Sequence, residues 1–256
     1  MRVFLASSFS TTQFLDNTSQ APWEITDKAT LHHVVTVQRL KIGQTVVVVH
    51  PTVERARTCT VLVVSKGQLV LQPQALIPLP TVAMPPITLV TALLKESHWD
   101  WLLQKATELG VRHIQPVITD FTVVSPQNLA HKLARWRAIC ESAAIQSEGL
   151  FIPTVAEPMP LTLYLQQPCV TQGVQRLVAV ERQQQVVPTL KQVLATGATP
   201  TAYYVAVGPE GGWSDTEKAF WATVASTWQA VNLGNRILRT ETAAIQLLGG
   251  ILYENS

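Results

Sequence analysis

Two segments combine glycine density with charged residues in a way that a plain turn does not need. The first is Val207-Gly208-Pro209-Glu210-Gly211-Gly212-Trp213-Ser214, with three glycines and a proline inside five residues. It follows an apolar run and leads into a capped helix start. Glycine lets backbone approach a ligand closely, and ligands of open α/β sheets bind beyond the carboxyl ends of strands. Gly208, Pro209, Glu210, Gly211 and Gly212 are therefore candidate ligand contacts, and a tight strand-to-helix turn is the plain alternative. GxGxxG and GxxxxGK[ST] are both missing, so the segment is neither a dinucleotide fingerprint nor a P-loop.

The second segment runs Asn232-Leu233-Gly234-Asn235-Arg236-Ile237-Leu238-Arg239-Thr240-Glu241-Thr242-Ala243 and again joins a short strand to a helix. Arg239 falls near a helix N-terminus, where the macrodipole disfavours a cation. A locally unfavourable residue of this kind marks either a functional site or an exposed arginine that turns away into solvent. Leu233, Ile237 and Leu238 suit the core, or the lining of a flat aromatic ligand.

Other chemistry-bearing residues read as structural. His32-His33 has no carboxylate or cysteine at ligand spacing, so no metal is expected. Cys59, Cys140 and Cys169 are far apart and odd in number, which predicts reduced thiols without a disulfide framework. Hydrophobic residues make up 47% of the 256, while charged residues reach only 14%. Threonine (28) and glutamine (21) fill the difference, giving a neutral polar surface on a globular chain and not a disordered one. A net charge of +2 excludes a strongly basic nucleic-acid coat but leaves room for a local basic face. Residues 1–72 hold that face, with seven Lys+Arg against four Asp+Glu. No apolar run approaches the roughly 18 residues of a membrane span, and a cytoplasmic protein is expected.

The elements that must position these residues follow from pattern. Val46 to Val49, Thr58 to Val64 and Leu69 to Leu71 predict short strands of a small barrel over 1–72. Five prolines between Pro73 and Pro86 predict a linker over 73–86. Beyond it, over 87–256, apolar strands alternate with amphipathic helices, which predicts a parallel sheet covered on both faces. The strands are Ile87 to Leu94, His113 to Ile118, Leu177 to Val180, Tyr203 to Val207 and Val231 to Leu233. The helices are His98 to Leu109 (ended by Gly110), one opened by Ser125-Pro126, Asp215 to Thr227 and Thr240 to Tyr253. Ser214 and Glu217 have capping-box spacing.

Taken together, the two loops resemble the S-adenosylmethionine-binding loops of the SPOUT methyltransferases. They are most similar to the ribosomal small-subunit methyltransferase E family, which methylates N3 of a uridine in 16S ribosomal RNA. The resemblance extends over nearly the whole chain. It includes His32-His33 with Val37 to Gly43, Asp100-Trp101 with Gln104 to Val111, Arg135-Trp136, Gln146-Ser147, Gly208 to Gly212 and Leu233 to Ala243. Three places depart from it: Thr119-Asp120-Phe121-Thr122 lacks the arginine of a Glu-Arg-Ser-type run, Ile145 to Gly149 lacks a Glu and an Arg, and the basic residue expected near Lys95 is His98 or absent. The resemblance implies a PUA-like, RNA-binding β-barrel, a SPOUT domain with a deep trefoil knot near 208–243, and a homodimer with the cofactor at its interface.

Under that resemblance the reaction is transfer of a methyl from S-adenosylmethionine to uridine N3, with ribosomal RNA or the small subunit as partner and no metal. Alignment and stabilisation of the uracil anion should do most of the work. Arg239 is assigned to that anion and Glu241 to orienting or proton acceptance. Gly208, Pro209, Glu210, Gly211, Gly212, Leu233, Gly234, Ile237 and Leu238 are assigned to the cofactor, and Arg2, Arg39, Lys41 and Arg236 to RNA phosphates. Two further readings stay open: an idle RNA-binding or ribosome-assembly protein, and a ribose 2′-O methyltransferase of the same superfamily.

Overall fold

A computed structural model describes residues 2–5, 10–17, 21–50, 55–78, 84–122, 129–168, 172–181, 187–195 and 199–255. The chain divides into two units, Met1–Val82 with Ala144–Ile152, and Ala83–Ala143 with Pro153–Ser256.

In the first unit, strands β1 (Arg2–Leu5), β2 (Trp23–Ile25), β3 (Thr45–His50), β4 (Arg55–Val64) and β5 (Leu69–Pro78) form one sheet in the order β1-β3-β4-β5-β2. β1 runs parallel to β3, and the other pairs are antiparallel. The valine run of β3 is apolar on both sides because both sides are covered. Val46 and Val48 join Phe14, Trp23, Leu69 and Leu71. Val47 and Val49 meet Ala144 and Ile145, which the returning segment Ala144–Ile152 brings back to this unit. Short helices α1 (Thr11–Leu15) and α2 (Lys28–His32) flank the sheet in sequence, and a π-helical turn, His33–Val37, extends α2.

Part of the stretch expected as a linker is strand. β5 continues through Pro73 to Pro78 along β4, whereas β2 pairs only with Leu69 to Leu71. Beyond Leu71, β5 therefore has one side without a ladder partner, and a proline with no N–H is tolerated there.

The second unit holds a seven-stranded, all-parallel sheet. Its strands are β6 (Ile87–Ala92), β7 (His113–Ile118), β8 (Thr154–Val155), β9 (Met159–Pro160), β10 (Val174–Ala179), β11 (Ala202–Val207) and β12 (Gln229–Val231). The order is β12-β10-β11-β6-β7-β8, with β9 also on β7. β6 is buried at every position, as a strand covered on both faces should be. Val90, Val117, Val178 and Ala206 pack on one face with Trp213, Trp221 and Trp228.

Helices α3 (Glu96–Glu108), α4 (Leu129–Gln146), α5 (Leu161–Gln166), α6 (Leu190–Leu194), α7 (Asp215–Thr223) and α8 (Thr240–Glu254) connect the strands. α8 packs on α3 and β11. α3 ends as expected in a Schellman turn: Gly110 at φ +78° donates to the Thr107 carbonyl, and Val111 to the Ala106 carbonyl. The Ser125-Pro126 helix start lies outside the described residues, and α4 is described from Leu129. α7 stops at Thr223, short of the expected Thr227, because the chain turns so that Trp228 meets Trp221 edge-on at 5.3 Å. The expected strand Val231 to Leu233 is displaced to Gln229–Val231, which frees Asn232 and Leu233 for the loop that follows. Among the described residues no helix is long and apolar enough to cross a membrane.

Candidate active site

Strands β12, β10 and β11 are sheet neighbours and parallel, so their carboxyl ends open at the same edge. Three loops converge there on one cleft of about 80 Å³, open to solvent. β10 contributes Ala179, Val180 and Glu181; β11 contributes Gly208, Pro209, Gly212 and Trp213; β12 contributes Asn232 to Gly234 and then Arg236 to Leu238. Thr240 and Ala243, from the first turn of α8, close the wall.

The glycines have distinct reasons to be glycine. A Cβ on Gly208 would stand 2.9 Å from the Trp213 indole, which is fixed by its Nε1–H donating to the Ala179 carbonyl at 3.2 Å. Gly212 (φ +71°) and Gly234 (φ +124°) occupy the left-handed region that side chains avoid. Beside Gly234 nothing lies within 4 Å of a Cβ position, so that part of the wall is open backbone. Ile237 stands at the cleft with 83% of its surface exposed.

Hydrogen bonds tie the loops into one body. Thr240 Oγ1 donates to the Gly208 carbonyl at 2.9 Å, joining α8 to the glycine loop. Gln246 donates to the Leu233 carbonyl at 2.5 Å, and the Asn232 side chain accepts from the Gly234 amide at 2.7 Å. Beneath the glycine loop, the capping box of α7 reaches outward. The buried Glu217 carboxylate accepts from the Ser214 amide (2.8 Å) and from the Asp120 amide (2.9 Å), while Ser214 Oγ donates to Asp120 at 2.5 Å. The loop after β7 is thereby fastened to the loop after β11.

The sequence-derived residues separate into groups. Gly208, Pro209, Gly212, Leu233, Gly234, Ile237 and Leu238 line the cleft together. Glu210 and Gly211 do not; they line a neighbouring cavity, because the turn that gives Gly212 its amide bond to the Pro209 carbonyl (2.9 Å) carries them to the loop's far side. Arg236, assigned above to phosphate, is at the cleft. Arg239 is the N-cap residue of α8, exposed, with no side-chain capping bond. Among the described residues no side chain pairs with it.

Glu241 turns toward α3. His98 Nδ1 lies 3.2 Å from Glu210 Oε1 and 3.8 Å from Glu241 Oε1, so one imidazole sits between two carboxylates. Glu241 Oε2 is buried without a hydrogen-bond partner. Among the described residues these three are the side chains grouped closely enough to share a cation, with ligand atoms within 4.8 Å of one another. No sequence pattern points to this group, because His98 is 112 positions from Glu210.

In the first unit, Arg39 and Lys41 are exposed on one turn, where Arg39 adopts φ +50° and Gln44 Oε1 accepts from the Lys41 amide at 3.3 Å. Arg2 belongs to β1, and its side chain lies outside the described residues. His32 is exposed. Burial pushes the Cys59 thiol up to about 12, against the Arg57 guanidinium and the Gln74 backbone, and it also raises Cys140. Neither is a nucleophile at neutral pH.

Sequence reasoning missed Ala179 to Glu181 and Thr240 as cleft residues. The signal was available for the first of these: β10 was legible as a strand, and the residues beyond a strand's carboxyl end are the expected ligand positions.

Comparison with known proteins bears on this cleft. Residues 82–252 match the family model of an RNA methyltransferase domain. A ribosomal RNA small subunit methyltransferase E from Mycobacterium bovis is 31% identical over 224 residues, 86% of this chain and 82% of that protein. One of the same name from Synechocystis is 36% identical over 166 residues, 65% of this chain. The match spans about half (52%) of that relative's length. A crystal structure of ribosomal RNA small subunit methyltransferase E from Neisseria gonorrhoeae, bound to S-adenosyl methionine, superposes with a TM-score of 0.75 at 26% identity, covering 97% of this chain and 95% of that one.

Proposed function

Since the chain belongs to the RNA methyltransferase family, among the ribosomal RNA small subunit methyltransferase E proteins, we propose that it methylates N3 of a uridine in 16S ribosomal RNA, using S-adenosylmethionine. The observation that carries this reading is the convergence of three parallel strand ends on one cleft, built from the two loops that the sequence singles out.

The cleft suits the cofactor chemically. Val180, Leu233, Ile237 and Leu238 offer apolar surface for an adenine, open backbone at Gly234 admits close approach, and the Glu181 carboxylate can accept from ribose hydroxyls. When bound, S-adenosylmethionine supplies an electrophilic sulfonium methyl. The chain's own part is to hold both partners in line and to favour the uracil anion, whose charge spreads over two carbonyl oxygens. Arg239 is free to meet that anion, and Glu241, with one buried oxygen unpaired, orients or accepts the proton. Arg2, Arg39, Lys41 and Arg236 take phosphates. We take the first unit as a PUA-like RNA-binding barrel, the second as a knotted SPOUT domain, and the working form as a cytoplasmic homodimer.

The test is twofold. Calorimetry with S-adenosylmethionine should show binding. Mass mapping of 16S RNA from cells lacking the protein should show one uridine without its N3 methyl, restored by the purified chain. Binding without any methylated product would favour the idle RNA-binding reading, which the altered Thr119-to-Thr122 run supports. Methyl on a ribose oxygen would favour the 2′-O reading.

A further inference from the structure

A second cavity, of about 400 Å³, opens at the same edge of the sheet on the other side of the glycine loop. It lies beyond the carboxyl ends of β6, β7 and β11, three neighbouring parallel strands, and shares Pro209 with the cofactor cleft. Phe121 stands in its wall with 48% of its surface exposed, although the side chain already covers Gly211, 3.3 Å from where a Cβ would be. Exposed Lys95 also lines the cavity and makes no side-chain ion pair or hydrogen bond among the described residues. The two carboxylates of the cavity are already engaged, Glu210 with His98 and Asp120 with Ser214. What the cavity offers a newcomer is one aromatic face and one ammonium.

An enzyme that acts on a base inside structured RNA must take that base out of its stack and hold it by stacking and by hydrogen bonds to its edge. From this juxtaposition we propose that the cavity is the subsite for the flipped uracil. The base stacks on Phe121, and Lys95 donates to one of its carbonyl oxygens. The inference rests on the base-methylation reading above and adds to it a place for the base and a ring that positions it. Phe121 occupies the run in which the resemblance leads one to expect arginine, so a ring stands where a charge is expected. Because the cavity and the cofactor cleft share Pro209 as a lining residue, a pyrimidine lying here borders the place of the methyl donor.

The experiment uses the full chain with 16S RNA. In one arm, Phe121→Ala, Phe121→Leu and Phe121→Trp are compared for kcat/KM toward RNA and for S-adenosylmethionine affinity by calorimetry. In the other, 5-iodouridine is placed at the nucleotide that the wild-type chain is found to methylate, and is photocrosslinked. Loss of base stacking should lower kcat/KM about 10- to 100-fold for Phe121→Ala. Leucine should fall near alanine, tryptophan should stay within a few-fold of wild type, and cofactor affinity should hold in all three. The crosslink should map to Phe121. Wild-type kcat/KM in Phe121→Leu would mean that the ring only packs on Gly211, and would overturn the proposal. So would a parallel loss of cofactor affinity, or a crosslink elsewhere. If the wild-type chain yields no methylated uridine while binding the cofactor, the underlying reading fails and the subsite fails with it.

Discussion

Arg239 caps α8 with its backbone, leaves its side chain in solvent, and has no partner among the described residues. A cation held at the positive end of a helix without compensation is poised to take a charge from outside the chain. Two anions are candidates, the methionine carboxylate of the cofactor and the uracil anion, and they predict different kinetics. If Arg239 holds the carboxylate throughout, Arg239→Ala raises the cofactor KM and spares kcat. If it stabilises the developing anion, kcat falls while cofactor binding survives. We expect the second outcome, with a loss of about 10²–10³ in single-turnover rate at saturating cofactor and RNA, by analogy with removal of one oxyanion donor. Lysine should rescue only in part, since a point charge lacks the planar fork. A wild-type rate from Arg239→Ala would take the residue off the catalytic assignment. The buried thiols give a second residue-scale expectation. A folded-state value of about 12 for Cys59, above the ordinary 9.0, means that the folded chain holds this proton more tightly than the unfolded one. Its contribution to stability is complete below pH 9 and declines as pH rises toward 12. Iodoacetamide at pH 8.5 should label Cys59 and Cys140 in urea but not in the native chain, and native labelling of either would contradict the burial described.

Among elements, the capping box of α7 does more than start a helix. Glu217 accepts from its own N-cap amide and from the Asp120 amide on another loop, so the pair Ser214–Glu217 fixes the exit of the glycine loop and the loop after β7 at once. Removing the carboxylate leaves two amide donors without their acceptor, at about 1–3 kcal/mol for a buried unsatisfied group. Glu217→Ala should therefore lower the unfolding free energy by about that amount in urea titrations and weaken S-adenosylmethionine binding, with Glu217→Gln milder on both counts. Unchanged cofactor affinity in Glu217→Ala would show that the box serves the helix alone. This network shows where sequence reading stops. The Ser214–Glu217 spacing was legible as a cap because capping is local, and Gly110 was legible as a helix stop for the same reason. The bond to Asp120 spans 97 positions and depends on strand order, which no periodicity encodes. The proline-rich stretch shows the converse. Proline at Pro73 argued against strand, and only the short reach of β2 makes it tolerable in β5. Glu210 and Gly211 were assigned to the cofactor with the rest of the 208–212 run, yet one turn sets both in the neighbouring cavity, apart from Gly208 and Gly212.

For the whole molecule, the division into two units predicts that RNA affinity and cofactor affinity can be altered separately. The positive charge of residues 1–72 includes Arg39 and Lys41, which one exposed turn presents side by side. Arg39 does so from a left-handed backbone conformation that a non-glycine residue adopts only where its surroundings impose it. The cofactor cleft is built entirely from residues 179–243. Cofactor binding should therefore stabilise the chain by linkage, about 2.7 kcal/mol at a concentration 100 times Kd, and Arg39→Gln with Lys41→Gln should leave that stabilisation intact. The same pair should weaken RNA binding and flatten its dependence on log salt by about 0.7 unit for each phosphate no longer neutralised, because every neutralised phosphate releases condensed counterions. Filter binding across a salt series, beside thermal melts with and without S-adenosylmethionine, reads both effects on one preparation. If the double variant keeps its RNA affinity and slope at low salt, the basic turn does not touch RNA. If it loses the thermal shift instead, the two units are coupled, and cofactor binding in the second unit senses the first.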